Sequence, residues 1–289
     1  MVTSPPIELT TYHGNCHCGA VHFIVRIPEL SAHEVGSCNC SICTRNGYLM
    51  VYPSPENVEF TIGKENLAEY RFGSGASVHR FCKTCGSSVS RSITADGEAM
   101  LAINVHMLYD VNTENLKLKL TDGKAFGAPY TYPPFPEAPF PNPPVLDTPL
   151  VEFEADPALV EYPASCQCGA VTYKLRVPSM TENTVKWCNC SICERNSYLL
   201  VYPHKHNVFF HTGYDQLAGY SFNTNRNTHK FCRTCGSSVM VDMHGFGQEK
   251  WAMNVRMLKD VDLKAFTYSF YDGKTRLQMP YTIGKPAST

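Results

Sequence analysis

Fourteen cysteines are the residues of this chain most able to do chemistry, and they form one pattern written twice. The first copy has Cys16, Cys18, Cys38, Cys40, Cys43, Cys82 and Cys85; a constant offset of 150 gives Cys166, Cys168, Cys188, Cys190, Cys193, Cys232 and Cys235. Cys38-x-Cys40-x-x-Cys43 places three sulfurs within six residues, so one tight turn can aim them at a single ion and leave one coordination position free. Cys16-x-Cys18 and Cys82-x-x-Cys85 are two-sulfur hooks that together make a closed set of four. Tetrahedral all-sulfur coordination is what a structural zinc prefers. Backbone that curls round a metal often needs φ > 0, which gives a reason for the glycine after each hook: Gly19, Gly86, Gly169 and Gly236. Within a copy the hooks lie more than sixty residues apart. A zinc there would tie an early strand to a late one and stabilise the domain outright.

The three-cysteine cluster admits three readings from the residues alone. It is an open site, or a closed site with a histidine or aspartate as fourth ligand, or a redox-labile set without metal. His79 and His229, just before Phe-Cys in each copy, are the histidines placed for the second reading. The open site is favoured, because the three cysteines cluster and no fourth ligand accompanies them in the repeat. Three protein ligands with an open position are the catalytic zinc pattern.

The elements that must position these thiols read mostly as short strands. Ala20–Val25, Tyr48–Tyr52, Val58–Ile62, Ala68–Phe72, Ser88–Ile93 and Met100–Val105 are branched or aromatic runs punctuated by Gly, Pro and Asn. The second copy repeats them at Val171–Val177, Tyr198–Tyr202, Val208–His211, Gly219–Phe222, Ser238–Val241 and Trp251–Val255. Helix is scarce, with single turns expected at Met107–Asp110 and Met257–Asp260. The expected fold class is mainly β: two tandem zinc-binding β domains joined by a Pro-rich linker. The expected boundaries are 8–132, 133–157 and 158–289, and the chain length of 289 agrees with about one domain per 150 residues. Phe135, Phe140 and Leu146 within the linker suit either a solvated spacer or a segment lying against a domain.

Composition excludes several classes. A net charge of −1 gives no electrostatic footprint for nucleic acid or an anionic membrane. No apolar run approaches the ~18 residues that span a bilayer. The first residues carry neither a basic region nor an apolar core, so no signal peptide is expected and a cytoplasmic location follows. In a reducing compartment clustered cysteines are metal ligands or catalytic thiols more often than disulfides.

Cys-x-Cys-Gly-Ala-Val, Cys-Asn-Cys-Ser-Ile-Cys, His-x-Phe-Cys-x-Thr-Cys-Gly-Ser and Asn-Val-x-x-Leu, in that order in both halves, resemble the glutathione-dependent formaldehyde-activating enzyme family. That family includes centromere protein V-like proteins. The resemblance implies an Mss4-like β fold. It implies that Cys16, Cys18, Cys82 and Cys85, and Cys166, Cys168, Cys232 and Cys235, hold two structural Zn2+. It implies that Cys38, Cys40 and Cys43, and Cys188, Cys190 and Cys193, hold up to two catalytic Zn2+ near a glutathione site. The implied function is that of a carbon–sulfur lyase or synthase acting on a small thiol or thioether, a glutathione conjugate above all. The other reading is a non-catalytic zinc scaffold that binds a protein. The retained three-cysteine clusters favour the enzyme, because a scaffold needs only the four-sulfur zinc.

Glutathione's carboxylates call for cations, and Arg45 and Arg195, two residues past the clusters, are the candidates, with Asn46 and Asn196 beside them. Tyr48 and Tyr198 are weaker candidates as proton donors, and Asn104 and Asn254 read as structural. The copies differ around their ligands: His17 faces Gln167, His106 faces Arg256, Ser37 faces Trp187 and Gly47 faces Ser197. Trp187, next to the second cluster, is placed to narrow its pocket.

Overall fold

The computed structural model describes residues 8–72, 75–95, 98–126, 128–135, 158–244, 249–277 and Tyr281. Most of the proline-rich segment, 136–157, lies outside the described residues, and with it Phe140 and Leu146. Contacts divide the chain into two compact units. Unit 1 comprises Met1–Thr44, Tyr48–Ala128 and Tyr281–Thr289; unit 2 comprises Arg45–Gly47 and Pro129–Pro280.

Unit 1 is mainly β. Its strands are β1 (Thr10–Asn15), β2 (His22–Ile27), β3 (Glu34–Cys38), β4 (Leu49–Val51), β5 (Val58–Ile62), β6 (Leu67–Phe72), β7 (Ser77–Cys82), β8 (Ser88–Ala95), β9 (Glu98–Asn104) and β10 (Lys117–Thr121). A three-stranded sheet runs β1-β2-β5, and a seven-stranded sheet runs β10-β3-β4-β9-β8-β7-β6. All neighbours are antiparallel except β10 and β3. Alternation explains β2: Phe23, Val25 and Ile27 point inward while His22, Ile24 and Arg26 are half-exposed. One short helix, α1 (Ser41–Asn46), begins inside the three-cysteine motif.

Unit 2 repeats the plan. Its strands are β11 (Val160–Ser165), β12 (Thr172–Val177), β13 (Thr184–Cys188), β14 (Leu200–Val201), β15 (Val208–Thr212), β16 (Leu217–Tyr220), β17 (Thr228–Cys232), β18 (Ser238–Asp242), β19 (Trp251–Asn254) and β20 (Thr267–Tyr271). The sheets run β11-β12-β15 and β16-β17-β18-β19-β14-β13-β20, with β13 and β20 parallel. Helix α2 (Ser191–Arg195) takes the place of α1.

The expected runs are strands, with ends shifted by a few residues. Four strands per copy were not anticipated: β1, β3, β7 and β10, with β11, β13, β17 and β20. The turns expected at Met107 and Met257 start earlier, as 3-10 turns over Val105–Met107 and Val255–Met257. Asn104 and Asn254 cap them through their side-chain oxygens, and each Nδ2 donates to a β-strand carbonyl, Ser88 O or Ser238 O, at 2.8 Å. Their structural role is the one the sequence suggested.

Candidate metal centres

In unit 1 the two hooks meet. Cys16 and Cys18 follow β1, Cys82 ends β7, and Cys85 lies in the turn before β8. Cys16 Sγ and Cys18 Sγ are 3.5 Å apart, and Cys18 Sγ and Cys82 Sγ 3.6 Å. In unit 2 the Cys166–Cys168 and Cys168–Cys232 separations are both 3.6 Å. A tetrahedron of sulfurs at the Zn–S length of about 2.3 Å has edges of about 3.8 Å, so these sets fit zinc. All fourteen cysteines are free thiols, and the four-residue groups Cys16, Cys18, Cys82, Cys85 and Cys166, Cys168, Cys232, Cys235 could each hold a metal ion.

Each set divides its ionisation: hydrogen bonds among the four thiols raise Cys16 and Cys166 and lower Cys82 and Cys232. The backbone N–H groups of Val21 and Val171 donate to Cys16 Sγ and Cys166 Sγ at 3.3 Å. Burial opposes ionisation of Cys85 and Cys235, yet hydrogen bonds from the other three thiols of each set hold them well below the usual thiol range. The glycines after the hooks all have positive φ: 76° at Gly19, 72° at Gly86, 79° at Gly169 and 71° at Gly236. The turn conformation is therefore one that glycine adopts without Cβ strain.

The three-cysteine groups Cys38, Cys40, Cys43 and Cys188, Cys190, Cys193 converge in the same way. The last residue of β3 supplies Cys38, and α1 carries Cys43. The backbone N–H of Cys40 donates to Cys38 Sγ at 3.4 Å, and that of Cys190 to Cys188 Sγ at 3.3 Å. One thiol of each group is held low. The Cys38 hydrogen bond is the main cause for Cys40, which is pushed down to about 2; the Cys190 hydrogen bond is the main cause for Cys188, at about 3. No histidine or carboxylate joins either group among the described residues.

The closed-site reading with a histidine is thereby corrected. His79 is fully buried and its Nδ1 is hydrogen-bonded to the Tyr48 hydroxyl rather than directed to the sulfurs. Tyr48 and Tyr198 are buried too, and desolvation raises both hydroxyls far above the usual tyrosine range. Holding the proton so firmly makes either a poor acid for chemistry near neutral pH.

The parallel strand β10 brings a residue to the cluster that sequence reading did not single out. Thr121 pairs with Cys38, and the chain then enters Asp122-Gly123-Lys124. A Cβ on Gly123 would lie 2.2 Å from Cys38 Sγ; on Gly273 it would lie 2.5 Å from Cys188 Sγ. Asn39 clamps the loop, donating to Asp122 Oδ1 at 2.8 Å and accepting from the Lys124 N–H at 3.1 Å. Asn189 does the same with Asp272 and Lys274, at 2.9 Å each. The available signal was the repeated Asp-Gly-Lys at the common offset of 150. Gly123→Ala should displace this loop at a cost of roughly 1–3 kcal/mol and weaken metal retention by the first cluster. Competition with a chromophoric chelator reads this directly.

Arg45 and Arg195, the candidate carboxylate binders, are both buried. Arg45 is 3% exposed and belongs to unit 2. Its Nε donates to Ser165 O at 3.2 Å and its Nη1 to Gln167 Oε1 at 3.3 Å, with the guanidinium 4.5 Å from the centre of the Tyr130 ring. The Tyr130 hydroxyl donates to Gln167 O at 2.9 Å. Arg45 thus braces the backbone around the Cys166–Cys168 hook. Arg195, Asn46 and Asn196 are buried as well, and the Asn196 N–H closes α2 on Glu194 O and Ile192 O. Arg45→Met should cost unit 2 about 1.5–3 kcal/mol while leaving KM for a thiol substrate unchanged. A tenfold rise in KM at unchanged stability would support the carboxylate role. Trp187 packs on Phe270 of β20, ring centres 4.4 Å apart, so its ring covers that strand.

The family model described as glutathione-dependent formaldehyde-activating enzyme matches residues 11–119 and 161–271. The chain belongs to the glutathione-dependent formaldehyde-activating enzyme family. The two matched stretches hold all fourteen cysteines, so the family assignment and the four thiol groups rest on the same segments. Among solved structures, a crystal structure of a Rhodobacter sphaeroides protein from a structural genomics programme is 31% identical over 37% of this chain and 99% of its own, with a TM-score of 0.34. No helix among the described residues is long and apolar enough to cross a membrane.

Proposed function

We propose that this family member is a zinc-dependent carbon–sulfur lyase or synthase that works on small thiol adducts, glutathione conjugates being the substrate class. The observation that carries the reading is the repeated division of thiols into a closed four and an open three. In this reading Cys16, Cys18, Cys82 and Cys85, and Cys166, Cys168, Cys232 and Cys235, bind structural zinc; Cys38, Cys40 and Cys43, and Cys188, Cys190 and Cys193, bind catalytic zinc. When bound at an open group, zinc supplies a Lewis-acid position that ionises a substrate thiol near neutral pH and accepts a departing sulfur.

The chain's own residues prepare that position. Three sulfurs leave one vertex of a tetrahedron for an outside ligand. Cys38, Cys40, Cys188 and Cys190 are half-exposed while Cys43 and Cys193 are buried, so each group is anchored below and reachable above. Gly123 and Gly273 let backbone lie against the outer sulfur where any side chain would intrude. A Gly273 backbone hydrogen bond also favours the Cys188 thiolate. Zinc-edge absorption spectroscopy tests the reading. Glutathione should raise the mean sulfur coordination of zinc in the wild type and leave it unchanged in Cys40→Ser/Cys190→Ser. An unchanged wild-type spectrum with saturating glutathione would favour a zinc scaffold.

A further inference from the structure

The two three-cysteine groups share geometry but differ in charge. Arg91 lies on β8, paired with His79 of β7 and Ala102 of β9. Its Nη1 donates to Cys43 Sγ at 3.6 Å and its Nη2 to Ser77 Oγ at 3.0 Å, and its guanidinium carbon is 5.5 Å from the centre of the Phe72 ring. Its Nε is buried and makes no hydrogen bond among the described residues. Phe72 and Tyr70 pack against the core patch formed by Ile42, Cys43, Tyr48, Met50 and Ala102. The cation therefore sits at the wall of the cluster, held between an aromatic ring and a sulfur.

Unit 2 has Val241 at the same register position, paired with His229 and Ala252, and Val241 is buried. A second difference acts in the same direction. Lys274, beside the second cluster, is bound by Glu194 at 2.8 Å, whereas the position matching Glu194 in the first copy is Thr44. Two further cations of unit 2 are engaged: Lys186 donates to Ser269 Oγ at 3.5 Å, and Arg276 lies over the Tyr271 ring at 5.5 Å. Three thiolates on Zn2+ carry a formal −1. Arg91 cancels that charge in unit 1, so an anionic fourth ligand meets a neutral centre there and an anionic one in unit 2.

We infer that Arg91 makes the Cys38–Cys40–Cys43 centre the one that accepts an anionic thiol, and that the Cys188–Cys190–Cys193 centre, with Val241, disfavours it. The inference rests on the proposed function for its consequence, because it makes unit 1 the part that handles carboxylate-bearing thiols. Arg91 is a positioning and specificity residue, acting through the local potential at the sulfurs.

The test uses the full-length zinc-loaded protein and two alkylating probes of similar size, anionic iodoacetate and neutral iodoacetamide. Mass spectrometry assigns each adduct to Cys38 and Cys40 or to Cys188 and Cys190. Taking the ratio of the two rates cancels intrinsic thiol reactivity and leaves the local charge. The ratio should be roughly fivefold higher at the first cluster than at the second, as expected for one partly exposed cation nearby. Arg91→Met should remove that difference, and Arg91→Lys should keep most of it. Equal ratios in the wild type, or a difference that survives Arg91→Met, would overturn the inference. Should Arg91→Met fail to fold, the wild-type comparison and Arg91→Lys still decide. Absence of glutathione binding with the charge difference intact would instead reject the proposed function and leave the assignment of Arg91 standing.

Discussion

Cys85→Ser is expected to abolish cooperative unfolding of unit 1. Cys85 is buried at 1% exposure, and its sulfur is one of four that bring the Cys16–Cys18 hook to the end of β7. Serine removes a soft ligand and leaves a hydroxyl that zinc holds weakly. Structural zinc in small domains contributes apparent free energies of about 10–16 kcal/mol, while a domain's net stability is only about 5–15 kcal/mol. Losing most of the first quantity is comparable to the whole of the second. Calorimetry should show one unit's transition missing and zinc content lowered by one per chain. Cys235→Ser should do the same to unit 2. Thermal transitions unchanged by both substitutions would mean that these thiols do not hold the domains together.

Cys40→Ser with Cys190→Ser is expected to do the opposite. Both residues are half-exposed and stand where α1 and α2 begin. Stability should change by about 1 kcal/mol or less, as for most surface substitutions. Activity on a glutathione adduct should fall on the order of a hundredfold or more, because the open position and its thiolate stabilisation depend on all three sulfurs. The contrast is the informative result: one pair of sites carries stability, the other carries chemistry. A double variant that melts early yet turns over normally would reverse the division of the thiols.

The hooks were legible because chelation imposes short spacings that survive any fold, and the offset of 150 showed them twice. Core strands such as β2 and β12 were legible from their branched and aromatic residues. β10, Lys-Leu-Lys-Leu-Thr, was not, because every one of its residues is exposed and its pairing with β3 is parallel and remote. That remoteness hid Gly123, which meets Cys38 from 85 positions away in the chain. The packing of Arg45 was hidden in the same way: its backbone partner Ser165 lies 120 residues further on. Proximity in sequence to a metal motif suggested a ligand-binding cation, whereas packing gave the guanidinium a structural task. Arg91 shows the converse, a charge on a strand far from the cysteine motif that folding delivers to Cys43.

Metal stoichiometry of the full-length reduced protein tests the central claim most directly. Four thiol groups should retain about four zinc ions per chain, two of them exchanging their fourth ligand with added glutathione. About two zinc ions per chain, with Cys38, Cys40, Cys43, Cys188, Cys190 and Cys193 free to react with thiol reagents, would contradict it.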